Sequence, residues 1–233
     1  MEKALYLIPV MLSDEPLEKV LPPYNLEVVR GIRHFIVENV RSARRFLKKC
    51  DRSINIDELT FYTLDEHTKP EEITDYLNPL MAGEPMGVIS EAGCPAIADP
   101  GADVVAMAQS RGLKVVPLVG PSSILMSLMA SGFNGQSFAF QGYLPIEAGK
   151  RTKKLHEMER AIAGGQTQIF IETPYRNNKL IAELCATLRS DLRLCVACNI
   201  TGNDETILTR TIREWGKMSY NFDKRPAIFL LYR

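Results

Sequence analysis

The segment whose composition is most restricted is the twelve-residue run Ser90–Gly101, SEAGCPAIADPG, which directly follows the apolar run Gly87–Ile89. Its two glycines allow close approach of the backbone to a ligand, and its prolines stiffen the chain. Glu91 and Asp99 supply carboxylates that accept hydrogen bonds from amino or hydroxyl groups. Ligands of α/β sheets bind at the carboxyl ends of strands, so the run predicts a binding loop. A plain surface loop is the alternative.

A second run rich in small residues is VGPSSILMSLMASG, Val119–Gly132. Its Gly-Pro pair turns the chain, and Ser122 and Ser123 then place hydroxyl and free N–H groups at the start of a helix. Such a start can hold the polar edge of a ligand, or the serines can simply cap the helix.

A third run, IFIETPYR, predicts a strand that ends at Ile171 and brings Glu172, Tyr175 and Arg176 out beside the next helix. An arginine in the first turn of a helix is unfavourable next to the positive end of the helix dipole. Arg176 is therefore expected to face a partner or a carboxylate.

Basic side chains recur at helical spacing in one segment, at Arg41, Arg44, Arg45 and Lys48, with no acid between them. A second basic group comprises Lys150, Arg151, Lys153 and Lys154. The whole chain has 28 basic and 28 acidic residues and no net charge, which excludes a strongly basic nucleic-acid binder. Each basic group is either a local phosphate contact or a solvated face.

The five cysteines are scattered, which predicts reduced thiols in the cytoplasm. Cys195 and Cys198 form a C-x-x-C without a second ligand pair, so they are expected to be buried strand residues and no metal site is predicted. No apolar run approaches the roughly 18 residues of a membrane span. The amino-terminal run is typical of a buried first strand rather than a signal peptide.

Short apolar runs alternate with amphipathic stretches, which predicts βαβ units, a largely parallel sheet and the α/β fold class. In the first half, strands are expected at Ala4–Ile8, Arg33–Val37, Thr60–Thr63, Gly87–Ile89 and Leu113–Pro117. Helices are expected there at Ser42–Lys49, Glu71–Met81 and Ala102–Arg111.

The character of the chain changes after Pro117, so two α/β domains are expected, residues 1–117 and 118–233. Helices of the second domain are expected at Pro121–Ser131, at Glu147–Ala163, from Thr173-Pro174 to Leu188 with Thr173 as the N-cap, and near Arg210–Lys217. Strands are expected at Ser137–Gln141, Thr167–Ile171, Leu192–Ile200 and Pro226–Tyr232. The common G-x-G-x-x-G nucleotide fingerprint is missing, so a nucleotide-like cofactor would need another arrangement.

These motifs together resemble a known family. SEAGCPAIADPG is similar to the SDAGTPxISDPG loop of the bacterial small-subunit ribosomal RNA (cytidine-2′-O)-methyltransferases. The resemblance continues through VVPLVGPSSILMSLMASGF and FQGYLP to IFIETPYR, which is similar to FYESPHR. It implies the two-domain tetrapyrrole-methylase fold, with S-adenosylmethionine in the cleft between the domains. It also implies a homodimer that acts on ribosomal RNA or the small ribosomal subunit.

The resemblance also implies cofactor contacts at matching positions. These are Pro9, Ser90, Glu91, Ala92, Ile97, Ser122, Ser123, Glu172 and Ala197. RNA contacts are expected from Arg41, Arg44, Arg45 and Arg176.

Several substrate-side motifs depart from the family pattern. The family's TPIGNL is IPVMLS at Ile8–Ser13, its AEDTR is VENVR with Asn39 for the acid, and its RELTKLHEE is CNITGNDET. Its SYHEH is TLDEH here. The groups that could accept a proton from a hydroxyl nucleophile are Glu38, Glu66, His67 and Glu205, of which only His67 has an unperturbed pKa near neutrality.

Three functions fit these observations. The ordered motifs and basic groups favour a methyltransferase acting on a ribose 2′-hydroxyl of small-subunit ribosomal RNA. The same fold could methylate a small, tetrapyrrole-like molecule. The altered loops also fit a non-catalytic module that binds S-adenosylmethionine.

Overall fold

The computed structural model describes residues 1–64, 68 and 70–233. Internal contacts divide the chain into two compact units, Met1–Ser122 (unit 1) and Ser123–Arg233 (unit 2). Each unit has one five-stranded sheet covered by helices, which confirms the predicted α/β class.

Unit 1 is built on a parallel sheet with the strand order β3-β2-β4-β1-β5. Its strands are β1 (Leu5–Ile8), β2 (His34–Val37), β3 (Thr60–Thr63), β4 (Met86–Ile89) and β5 (Val115–Pro117). Every residue of β4 is buried, as expected for a strand covered on both faces. Because the strands are parallel, the segments that follow β1, β2 and β4 leave the sheet at the same edge.

The helices of unit 1 differ from prediction in two places. They are α1 (Pro23–Arg30), α2 (Val40–Cys50), α3 (Pro70–Tyr76), α4 (Asn78–Met81) and α5 (Gly101–Ser110). Helix α1 was not predicted, although Pro23 at its first position is a start signal. The single helix predicted at Glu71–Met81 is wrong. Pro79 lies in the first turn of α4, and its missing N–H breaks the helical hydrogen-bond pattern.

Side chains of the parallel sheet alternate between two apolar cores. Ile8 and Phe35 pack with residues of α1 and α2 on one face. Leu5 and Ile36 pack with residues of α3, α4 and α5 on the other face. Both faces are thereby closed, which leaves the carboxyl edge of the sheet as the place where polar loops can gather.

Unit 2 has a mixed sheet with the order β6-β7-β10-β8-β9. Its strands are β6 (Phe138–Tyr143), β7 (Thr167–Ile171), β8 (Arg193–Cys198), β9 (Thr206–Thr211) and β10 (Ala227–Tyr232). Within this unit, which is described throughout, β6 and β7 pair in parallel and the other neighbours are antiparallel. A largely parallel sheet is therefore wrong for unit 2. Residues 199–205 are too few for the crossover helix that a parallel β8–β9 pair would need.

The helices of unit 2 are α6 (Ser123–Ser131), α7 (Ala148–Ala163), α8 (Asn177–Thr187) and α9 (Ile212–Trp215). The helix predicted near Arg210–Lys217 is shorter, because β9 continues to Thr211. Helix α9 then begins with a capping box, in which Glu214 N donates to Thr211 Oγ1 (3.2 Å) and Thr211 N donates to Glu214 Oε2 (2.7 Å). The box places Trp215 in the core, where its Nε1 donates to Leu194 O.

The C-x-x-C pair lies in β8, and both thiols are buried, as predicted. Burial raises the pKa of Cys195 to about 11, so this sulfur is not a ready thiolate ligand. In the part of the chain that the structure describes, no three His, Cys, Asp or Glu side chains gather as a metal site would need. None of the described helices combines the length and the apolar character needed to cross a membrane.

Candidate functional site

The loops that follow β1 and β4 are joined at the carboxyl edge of the unit 1 sheet. Val10 N donates to Gly93 O (2.9 Å), and Gly93 N donates to Val10 O (3.0 Å). Gly93 has a φ of +71°, a left-handed conformation that glycine adopts without strain. Ser90 Oγ also donates to Gly93 O (3.3 Å). The first part of the Ser90–Gly101 loop is therefore a fixed platform at this edge.

The second part of the same loop is organised by Asp99. Its carboxylate accepts from Ala96 N (2.9 Å) and from Gly101 N (2.7 Å). Ala96 and Ala98 have φ values of +65° and +60°, left-handed conformations that cost a non-glycine residue roughly 1–2 kcal/mol each. The hydrogen bonds to Asp99 offset this strain. Strained backbone held in place by its surroundings is typical of ligand-binding segments.

Glu38 follows β2 and lies beside this loop. Burial raises the pKa of its carboxyl, and the negative charges of Asp99 and Glu91 raise it further, although a hydrogen bond from Glu91 N (3.2 Å) acts in the opposite direction. Together with Ser90 and Asp99, Glu38 lines a cavity of about 10 Å³, room for about one water molecule. A raised pKa makes an ionised carboxylate a stronger proton acceptor, which suits a general base.

Helix α2 begins at the same edge and is capped by Asn39. Asn39 Oδ1 accepts from Arg41 N (2.9 Å) and from Ser42 N (3.3 Å). Ser42 Oγ donates to Glu91 Oε1, which ties the start of the helix to the loop after β4. Asparagine and aspartate cap helices about equally well. The departure at Asn39 from the family's acid therefore keeps the local structure.

A groove with a volume of about 460 Å³ opens between the loop after β1, helix α2 and the loop after β4. This volume lies within the usual range of ligand pockets. Lys49 Nζ forms an ion pair with Asp14 Oδ1 (2.7 Å) at the groove, and this contact lowers the pKa of Asp14. Arg45 also lines the groove and forms no ion pair with any described carboxylate.

The basic side chains of α2 lie on its exposed face, while Phe46 and Leu47 on the opposite face are buried. Three of its five basic residues have partners within the unit, namely Lys49, which pairs with Asp14, and the following two. Arg44 lies 5.5 Å from the centre of the Phe61 ring, and Lys48 Nζ donates to Arg52 O (3.0 Å). Arg41 and Arg45 are therefore better placed to meet a ligand than Arg44 and Lys48.

Gly120 allows the segment after β5 to pass close to Pro9. A Cβ atom on Gly120 would lie 2.2 Å from Pro9 Cγ. We expect Gly120→Ala to lower the free energy of unfolding by about 1–3 kcal/mol, because one of the two backbones must move. Urea denaturation measures the change. Gly135→Ala is the control, since a Cβ there meets nothing within 4 Å. Equal stability of the two variants would contradict the close packing.

In unit 2, Glu172 and Arg176 form the contact that the helix-dipole argument predicted. Arg176 Nη2 donates to Glu172 Oε1 (2.7 Å), and Thr173 N donates to the same oxygen (2.6 Å). The prediction of Thr173 as a side-chain N-cap of α8 is wrong. A 3-10 turn, Pro174–Arg176, precedes the helix, and Thr173 Oγ1 accepts from Arg176 Nε (3.1 Å).

Other predicted site residues of unit 2 have structural contacts. Ala197 is 1% exposed within β8. Glu205 Oε2 accepts from Thr201 N (2.7 Å) and closes the turn between β8 and β9, in which Thr201 has a φ of +72°. Ser123 begins α6. Roles of these residues in binding or catalysis stay predictions.

Unit 1 brings together part of the predicted set. Pro9 and Ser90 are buried beneath the loop platform, whereas Glu91, Ala92 and Ile97 are exposed on it. Ser122 is the last residue of unit 1. The proton acceptors predicted at Glu66 and His67 lie outside the described residues. Sequence reasoning missed the organising contacts of Asp99, Asn39 and Ser42. The carboxylate in the DPG motif and the Asn before a basic helix were the available signals.

A family model of tetrapyrrole (corrin/porphyrin) methylases matches residues 27–215. The ribosomal RNA small subunit methyltransferase I of Vibrio cholerae is 31% identical over 210 residues, which cover 89% of this chain and 70% of that protein. The protein of the same name from Pseudomonas aeruginosa is 29% identical over 214 residues, 91% of this chain and 73% of that protein.

The crystal structure of a diphthine synthase matches 98% of this chain and 89% of its own with a TM-score of 0.68. Its sequence identity is 16%, so this likeness concerns the fold alone. The family match covers most of the chain and includes the platform loop, helix α2 and the turn at Glu172. The chain therefore belongs to the tetrapyrrole methylase family of methyltransferases, with the ribosomal RNA small subunit methyltransferase I proteins among its relatives.

Proposed function

We propose that this chain transfers the methyl group of S-adenosylmethionine to a ribose 2′-hydroxyl of small-subunit ribosomal RNA, in the cytoplasm and as a homodimer. The observation that carries the proposal is the carboxyl edge of unit 1. There the strained loop Ser90–Gly101 lies beside Glu38, a carboxyl with a raised pKa. The names of the relatives support the choice of RNA substrate.

The residues at this edge fit S-adenosylmethionine. The exposed carboxylate of Glu91 suits the ribose hydroxyls or the amino group, and the backbone at Ala92 and Gly93 permits close approach. When bound, the cofactor supplies an electrophilic methyl group on a sulfonium. Contacts of Pro9 and Ile97 belong to the same proposal. Those of Ser122, Ser123, Glu172 and Ala197 rest on the family resemblance.

Methyl transfer involves few atoms but requires strict geometry. In methyl transfer the 2′-oxygen forms a bond to the methyl carbon while the carbon–sulfur bond breaks, and the hydroxyl proton must leave. Glu38 accepts that proton directly or through one water in the adjoining cavity. General-base assistance of this kind contributes typically 10²–10⁴-fold. The loops would supply the rest of the rate enhancement by orienting the bound cofactor and the ribose.

The substrate strand lies along the groove beside α2, with Arg41 and Arg45 contacting its phosphates. We expect Arg45→Ala to weaken binding of a single-stranded oligoribonucleotide. The slope of log K against log salt becomes shallower by about 0.7, the value for one lost phosphate contact. Fluorescence anisotropy at several salt concentrations measures both quantities.

Arg33→Ala is the matched control for this measurement. It removes the same charge from unit 1, but Arg33 directly precedes β2, at the amino end of the sheet, and pairs with Glu58. Identical salt slopes for Arg45→Ala and Arg33→Ala would contradict binding of the RNA strand along the groove.

The proposed function is tested with S-adenosylmethionine that carries a labelled methyl group. Small ribosomal subunits from cells that lack this protein should acquire label, and subunits from cells that contain it should acquire much less. Label in a tetrapyrrole-like precursor but not in RNA would favour the small-molecule methyltransferase instead. Tight cofactor binding without transfer to either would favour the non-catalytic module.

A further inference from the structure

Unit 2 contains a pocket of about 80 Å³ between the start of α7, the turn after β7 and the first turns of α8. Its charged lining residues are Arg151, Glu172, Arg176, Lys179 and Glu183. This volume is well below the roughly 300–1,000 Å³ of pockets that hold whole small-molecule ligands. The pocket therefore admits a small polar group, but not a nucleobase or a whole nucleotide.

Both arginines of the pocket are held in position by carboxylates. Arg151 Nε donates to Glu183 Oε1 (2.7 Å), and these side chains are 12% and 23% exposed. Arg176 Nε and Nη2 donate to Glu172 Oε1, and the side chain of Glu172 is 5% exposed. A guanidinium has five N–H donors, so each arginine keeps donors that its carboxylate does not use. Because both arginine side chains are already fixed, they lose less conformational entropy when a ligand binds them.

The charges of the pocket do not cancel. Within each of the two ion pairs the charges cancel. Lys179 is exposed and has no ion pair with any carboxylate in the described part of the chain. Lys179 also lies in the first turn of α8, where a cation adds to the positive end of the helix dipole. The backbone N–H of Asn178 already donates to Asp223 Oδ1 (2.9 Å), so an anion here would be bound by side chains. One positive charge remains, which matches a group with one negative charge.

Aromatic and apolar side chains are exposed in the segments that form the pocket. Tyr175, which directly precedes Arg176, is 75% exposed, and Ile146 of the pocket lining is 76% exposed. Tyr143, three residues before Ile146, is 62% exposed. Exposed aromatic rings near fixed cations are typical of surfaces that bind single-stranded nucleic acids, because bases stack on the rings while cations contact the phosphates.

We propose that this pocket binds one phosphodiester group of a single-stranded RNA segment, with Tyr175 stacking on a neighbouring base. The phosphate oxygens accept from Arg151, Arg176 and Lys179, and its single charge is balanced by Lys179. The identity of the ligand as RNA rests on the proposed function. The pocket shares no lining residue with the groove beside α2, since its lining residues all belong to unit 2.

The test uses the full chain and a fluorescent single-stranded oligoribonucleotide. Lys179→Gln removes the unbalanced charge at an exposed position and should fold normally. We expect its Kd for the oligoribonucleotide to rise several-fold, with a salt slope shallower by about 0.7. Tyr175→Ala should raise Kd by about 5–150-fold, as the loss of a base–ring stack does, without changing the salt slope. Lys217→Gln, at another exposed position of unit 2, is the control for charge.

Kinetics separate this proposal from the proposed function. In methylation of small subunits, Lys179→Gln should raise KM and leave kcat unchanged. If the wild-type chain methylates RNA but Lys179→Gln and Lys217→Gln have the same KM, Kd and salt slope, the pocket proposal is overturned and the proposed function stands. If the wild-type chain transfers no methyl to RNA, the oligoribonucleotide measurement still tests the pocket. Thermal stabilisation by inorganic phosphate that Lys179→Gln abolishes, with unchanged RNA binding, would overturn the assignment to RNA.

Discussion

Replacing Glu38 by Gln is expected to lower kcat for methyl transfer by about 10²–10⁴-fold while the Kd for S-adenosylmethionine stays within about twofold. Gln keeps the size of the side chain and its ability to accept from Glu91 N, but it cannot take the proton of the ribose hydroxyl. Single-turnover kinetics with saturating cofactor measure the effect. Glu58→Gln is the control, because Glu58 is exposed and precedes β3 at the amino end of the sheet.

The pH dependence of the same pair provides an independent readout. Burial, and then the charges of Asp99 and Glu91, raise the pKa of Glu38 above 4.5. As a base it must be ionised, so wild-type activity should fall as pH falls through this raised pKa. The residual activity of Glu38→Gln should lack that limb. If Glu38→Gln loses activity but its remaining activity still falls at low pH in the same way, another group accepts the proton.

The raised pKa of Glu38 also determines how pH changes the free energy of unfolding. The folded chain holds the Glu38 proton more tightly than the unfolded chain. The stabilising contribution of this carboxyl to folding is therefore fully present below the unfolded pKa. It is lost as pH rises through the folded pKa. At neutral pH, Glu38→Gln removes a partly buried charge and should not destabilise the unit. Low activity of this variant would then report chemistry rather than unfolding.

Asp99→Ala is expected to raise the Kd for S-adenosylmethionine by at least about tenfold. The substitution leaves the partly buried donors Ala96 N and Gly101 N without their acceptor, and a buried donor left unsatisfied costs at most about 1–3 kcal/mol. Ala96 and Ala98 then have less reason to keep their left-handed conformations, so the loop loses the shape that we propose for cofactor binding. Isothermal titration calorimetry measures the Kd.

Two further variants separate loop shape from general damage. Asp103→Ala removes an exposed carboxylate from the first turn of α5 and should leave the Kd unchanged. Adding Ala96→Gly to Asp99→Ala should recover part of the affinity, because glycine adopts positive φ without strain. Unchanged affinity in Asp99→Ala would contradict the proposed dependence of cofactor binding on this carboxylate.

The sequence predicted the chemistry-bearing loops better than the architecture of unit 2. Ser90–Gly101 could be identified because restricted composition after a buried strand is a local property. The antiparallel β8–β9 pair could not, because pairing direction depends on contacts between strands and not on the pattern within them. Strand β9 (Thr206–Thr211) was not predicted, and the helix predicted near Arg210–Lys217 overlapped its last two residues.

Single residues show the same division between local and distant causes. The helix dipole predicted that Arg176 faces a partner or a carboxylate, and the structure supplies Glu172 four residues before it. The raised pKa of Glu38 was beyond the sequence, since it depends on burial and on charges that approach from the loop after β4. Asn39 is intermediate. Its departure from the family pattern was visible, but its role as a helix cap required the hydrogen bonds.

The position of the transferred methyl group tests the central claim most directly. Small-subunit RNA labelled by the full chain and methyl-labelled S-adenosylmethionine is hydrolysed with alkali, which cleaves only next to a free 2′-hydroxyl. The proposed function predicts that the label is recovered in one alkali-resistant dinucleotide, and that Glu38→Gln strongly slows its formation. Label recovered in mononucleotides would mean methylation of a base, and that result would contradict transfer to the ribose.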